Sequence, residues 1–134
     1  MLEDLKEWSI TFVKHKDVFS HKLIDYRVEG NTIEFNFKDR KHTYIIMPVL
    51  NESINKSLKD KFISVICLNK MENVKYLIKN WGIFIKYSNV NVIFVNPYLN
   101  EKWIINPNVH ERISEREALA QGLKSMFESV PEVR

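Results

Sequence analysis

The chain has 134 residues, of which 45% are hydrophobic, 12% aromatic and 28% charged, and its 20 basic and 17 acidic residues leave a net charge of +3. That length suits one domain spanning 1–134, and the apolar fraction excludes general disorder. No apolar run approaches the roughly 18–20 residues of a membrane span, and a lone Cys67 excludes an internal disulfide or a multi-cysteine zinc site.

The opening Met1-Leu2-Glu3-Asp4-Leu5-Lys6-Glu7 is too acidic for a signal peptide, so the expected location is cytoplasmic, without a membrane partner. Leu2, Leu5, Trp8 and Phe12 recur at helical steps and predict a first helix, with His15 to His21 as a connection. Leu23 to Glu29 alternates as a half-buried strand, Gly30-Asn31 supplies a turn, and Thr32 to Lys38 alternates more strictly. Asp39-Arg40 turns the chain into a third strand, His42 to Met47. Three strands joined this tightly predict an antiparallel meander.

Asn51 to Lys59 reads as a short polar helix. Phe62 to Leu68 and Asn91 to Val95 are almost wholly apolar, as in strands covered on both faces. Between them Met71, Val74, Leu77, Ile78, Trp81 and Ile85 mark an amphipathic helix, so the segment predicts a βαβ unit with parallel strands. Lys102 to Ile105 adds a short strand. Ser114-Glu115-Arg116-Glu117 matches a capping box opening a last helix that Pro131 stops. The fold class is therefore α/β: one mixed central sheet, an antiparallel meander plus a βαβ unit, flanked by helices.

Gly30, Gly82 and Gly122 are isolated, and neither GxGxxG nor GxxxxGK[ST] occurs, which argues against a phosphate-cradling loop. No cofactor is expected. Residues 38–86 hold ten basic against four acidic residues, and within them Lys56, Lys59 and Lys61 are the candidate nucleic-acid contacts. His110, with Glu111 and Arg112, follows two Asn-Pro pairs, Asn96-Pro97 and Asn106-Pro107, that mark strand ends; ligands collect at the carboxyl ends of parallel strands, which makes His110 a ligand candidate. Asp25 and Glu34 lie on neighbouring strands across a tight turn. Two converging carboxylates suit a hard divalent ion that activates water, although alternation alone also produces ordinary polar faces.

The element order, together with Phe62 to Leu68, the helix through Trp81, Val92-Ile93-Phe94-Val95-Asn96-Pro97, Lys102-Trp103-Ile104-Ile105-Asn106-Pro107 and His110, resembles the restriction-endonuclease-like, or PD-(D/E)XK, nuclease superfamily. Active members carry an Asp on one meander strand and Glu-x-Lys on the next. By that resemblance Asp25 stands for the aspartate and Glu34-Phe35-Asn36 for Glu-x-Lys, with Asn36 in the lysine position and Lys38 further along the same face. The resemblance implies a relative without a working centre, acting as a nucleic-acid-associated or protein-interaction domain, with DNA, RNA, a second copy or another protein as partner. The enzymatic alternative is a magnesium- or manganese-dependent nuclease using Asp25, Glu34 and Lys38. A structural subunit presenting Tyr98, Trp103 and Phe127 to a partner is the third reading.

Overall fold

The computed structural model describes residues Met1–Arg134. The elements follow as α1 (Leu2–Lys16), β1 (Leu23–Glu29), β2 (Thr32–Phe37), β3 (Lys41–Ile46), a 3-10 turn (Glu52–Lys56), β4 (Ile63–Leu68), α2 (Met71–Lys79), α3 (Trp81–Phe84), β5 (Val90–Asn96), β6 (Glu101–Ile105), α4 (Pro107–Ile113), a second 3-10 turn (Arg116–Ala118) and α5 (Leu119–Glu128). The six strands form one sheet in the order of the sequence. The meander β1-β2-β3 is antiparallel, β3, β4 and β5 are mutually parallel, and β6 returns antiparallel on β5. The α/β mixed sheet read from the sequence is the fold. No helix is long and apolar enough to cross a membrane.

Alternation along each strand sends side chains to two separate cores. On one face α1 lays Leu5, Trp8 and Val13 over Ile33, Phe35, Tyr44, Ile46, Ile66 and Ile93. On the other face α2, α3, α5 and the first 3-10 turn cover Ile45, Val65, Cys67, Val92, Phe94 and Trp103. β4 is buried at every residue because helices lie on both sides of it. The predicted polar segment is not purely polar: Ile54 in the first 3-10 turn and Leu58 just after it are buried in the second core.

Four expectations change. β1 is exposed from Ile24 to Glu29 rather than half-buried, because it is the outer strand and α1 packs over β3 and β4, beyond its reach. The long amphipathic helix divides at Asn80 into α2 and α3. Ser114 does not cap the last helix; it ends α4, and the capping-box residue Glu117 falls in a 3-10 turn before α5 starts without a side-chain cap. Trp103 and Phe127 are core residues at 3% and 8% exposure, Trp103 being stacked 4.1 Å from Phe94, so neither is available at a partner surface; Tyr98 alone of that group is exposed.

Candidate nucleic-acid interface

The meander carboxylates meet on one face. Asp25 lies opposite Asn36, and Glu34 opposite Arg27, since paired residues in a sheet share a side. The two acids are therefore diagonal neighbours. Asn36 Nδ2 donates to Asp25 Oδ1 at 2.6 Å, and Lys41 Nζ stands 3.8 Å from Glu34 Oε1. Lys38 is not brought to this group. β2 has ended at Phe37, and Lys38 sits in the turn with its backbone N–H on Lys22 O. No cluster of three or more His, Cys, Asp or Glu is placed to hold a metal ion.

His110 moves to the opposite end of the sheet from the one expected. Because β6 runs antiparallel to β5, Asn96-Pro97 and Asn106-Pro107 lie at opposite ends of that strand pair. Pro107 opens α4 at its first turn and Asn106 caps it, its side chain accepting from Val109 N. His110 on this helix sits edge-on to Trp81 at 5.7 Å. Beside it Trp81 Nε1 donates to Glu111 at 3.1 Å, and Glu111 is ion-paired with Arg116. The Arg116 and Trp81 hydrogen bonds hold the Glu111 carboxyl below its ordinary range. This is a structural brace between α3 and α4.

A cavity lies at the amino ends of β3, β4 and β5, on the α1 side. It encloses about 390 Å³ between the end of α1, the β2–β3 turn and the starts of β4 and β5, and Asp17, Arg40, His42, Tyr44, Phe62 and Asn91 are among its walls. His42 and Tyr44 alternate onto this face of β3. His42 Nε2 is 2.8 Å from Ser64 Oγ on β4. Burial, with the nearby charges of Arg40 and Lys16, depresses the His42 pKa to about 4, so its ring is neutral at pH 7. Burial raises the Tyr44 phenol to about 12, against a hydrogen bond from Ser64 that pulls the other way. Ser64 is 1% exposed, which closes it to a substrate despite its neighbouring imidazole. The pair is a buried hydrogen-bonded support.

Charge around this cavity is unbalanced. Arg40 stacks over Phe62 at 4.7 Å and also faces Phe37 at 5.9 Å. Asp17 is turned inward on its own loop, accepting from Ser20 Oγ, Lys22 N and Leu23 N, each at 2.9 Å. Desolvation opposes the charge on Asp17, but those hydrogen bonds outweigh it and keep the carboxyl ionised below its ordinary range. Asp39 is paired with Lys22 at 3.3 Å, and that hydrogen bond lowers its pKa despite some desolvation.

Four segments feed the amino ends of β1, β3, β4 and β5: residues 14–22, 38–41, 57–62 and 85–89. They carry Lys14, Lys16 and Lys22, then Lys38, Arg40 and Lys41, then Lys59 and Lys61, and finally Lys86. These segments hold nine exposed cations against three carboxylates of their own, Asp17, Asp39 and Asp60; Lys22 is paired with Asp39 and Lys41 with Glu34 of β2, which leaves seven cations without a carboxylate partner. At the other end of the sheet, segments 47–56, 69–72 and 97–101 hold Glu52, Glu72 and Glu101 against Lys56 and Lys70. Lys59 and Lys61 thus belong to the basic end, while Lys56 ends the first 3-10 turn and lies outside it.

Sequence spacing carries no signal for the cavity, whose walls come from five separate segments. The one hint is local: His42 and Tyr44 share the buried face of a strand, with Arg40 two residues before. No protein-family model, no curated protein and no solved structure matches this chain.

Proposed function

We propose that this chain is a nucleic-acid-binding domain of restriction-endonuclease-like fold that lacks a cleavage centre of its own. The observation that carries the reading is the group of seven exposed cations without a carboxylate partner at the amino end of the parallel strands, where Asp17 and Asp60 are the only other acids of those segments. Asp17 is the one acid of these segments bonded to its own loop, and Asp39 is matched by Lys22, so the net field that meets an approaching phosphate is still positive. Binding of this kind releases counterions, and the apparent affinity falls steeply with salt.

The test is fluorescence anisotropy with labelled oligonucleotides between roughly 50 and 300 mM salt, a range in which counterion release is measurable. Lys59→Ala with Lys61→Ala should weaken binding and flatten the log–log salt slope by roughly 0.7–0.9 for each phosphate no longer neutralised. Lys56→Ala should change little. Equal affinities for all three proteins, or no binding at the lowest salt, would sink the proposal.

One feature supports the protein-interaction alternative, including a homodimer. β1 is an outer strand with Ile24, Tyr26 and Val28 exposed, and no backbone hydrogen bond from another element reaches its outer edge. Light scattering at increasing concentration distinguishes this reading: a dimer that Val28→Pro dissociates would support it, and a strict monomer would count against self-association.

A further inference from the structure

We infer that Phe19 is a stacking platform for an unpaired base, which makes single-stranded rather than duplex nucleic acid the preferred ligand of the basic end. This rests on the nucleic-acid-binding role proposed for the chain and deepens it.

Phe19 is 94% exposed, the largest exposure among the large apolar side chains of the chain. It is not on a fraying tail. The turn that carries it is cross-braced by the Asp17 carboxylate, which receives Ser20 Oγ, Lys22 N and Leu23 N, while His21 N donates to Asp17 O at 2.9 Å. His21 closes the turn in the left-handed region at φ 51°. So much local bonding fixes the backbone on either side of Phe19 and holds its ring in solvent. A ring held this way buries nothing within its own chain, which is the arrangement a recognition aromatic requires.

Position decides what it recognises. Asp17 and Ser20, on either side of Phe19 in the turn, both line the cavity, so the turn that carries the ring forms part of the cavity wall. Lys16 and Arg40, lining the same cavity, have no carboxylate partner; each lies over an aromatic ring instead, Lys16 over Phe12 at 5.1 Å. An exposed aromatic side chain on a turn that shares a cavity wall with unpaired cations matches the two needs of a single strand, a stacking surface for the base and positive charge for its phosphates. In a duplex both faces of each base are already stacked on neighbours. An unpaired base has a face free for Phe19.

The experiment compares wild type, Phe19→Ala and Phe19→Trp by anisotropy with a labelled oligo-dT strand, the same strand carrying central abasic sites, and a duplex of equal length. Removal of so exposed a ring leaves the core intact, which a thermal melt checks. Phe19→Ala should lose single-strand affinity by roughly 5- to 100-fold, with duplex and abasic-strand binding unchanged. Phe19→Trp should restore binding, and its indole emission should be quenched by oligo-dT; Trp8, Trp81 and Trp103 are buried and contribute a background insensitive to the strand. If Phe19→Ala binds oligo-dT as wild type does while the Lys59/Lys61 variant still weakens, stacking is wrong and the electrostatic reading stands. Should wild type bind no oligonucleotide at all, both fall together.

Discussion

His42 Nε2 and Ser64 Oγ are 2.8 Å apart, joining β3 to β4 through side chains beneath the cavity floor. Burial keeps the imidazole of this pair neutral at pH 7 and largely out of water.

The His42 environment sets a pH dependence. Its folded pKa of about 4 lies below the ordinary 6.5, so the unfolded chain binds the proton more readily. The stability contribution is complete above pH 6.5 and is lost as pH falls from there toward 4, by at most about 3 kcal/mol. Urea midpoints measured across that interval should fall, and His42→Asn should flatten the decline. An unchanged pH profile in the variant would assign the acid sensitivity elsewhere.

Asn69 is buried, and its side chain closes the molecule. Its Oδ1 accepts from Trp103 Nε1 at 2.8 Å, and its Nδ2 donates to Val130 O at 2.9 Å and Phe127 O at 3.3 Å. Asn69→Ala leaves a buried indole N–H and carbonyls unpaired, with an expected loss of about 2–4 kcal/mol. Hydrogen exchange should show the Val133 amide, which donates to Asn69 O, losing protection first.

Gly30 turns β1 into β2 at φ +58°, with open space where a Cβ would stand. The penalty for a side chain there is therefore conformational rather than steric crowding. Gly30→Val should cost about 1–2 kcal/mol and Gly30→Asn distinctly less. Equal costs for the two, read from thermal melts, would contradict that origin.

Asp25 and Glu34 test the nuclease alternative. Both carboxylates already have neighbours in Asn36 and Lys41, and no third acid joins them. Millimolar magnesium or manganese should leave the melting temperature unchanged, and Asp25→Ala should bind oligonucleotides as wild type does. Metal-dependent cleavage that disappears in Asp25→Ala would instead establish the enzyme.

The meander and the buried parallel strands were legible because periods of two and continuous apolar runs leave a direct mark on sequence. What escaped were features decided by neighbours. Strand β1 alternates like a half-buried strand, yet its edge position leaves it bare. The Ser114 motif has the letters of a capping box, but the chain is still finishing α4 there. Asp25 and Glu34 could be placed side by side from one tight turn. The cavity could not, since α1, β3, β4 and β5 must first pack before Asp17, His42, Phe62 and Asn91 meet.

The strand order β1 to β6 has a consequence for how the molecule assembles. Each new strand adds beside the one synthesised just before it, and none inserts between strands already paired. The sheet can therefore grow in one direction as the chain emerges, with a single advancing edge and few long loops to close. The contacts that reach backward come late: Asn100, in the turn between the last two strands, accepts from Trp8 Nε1 of the first helix, and residues 127–133 return to Asn69 and fasten the last helix to strands laid down much earlier.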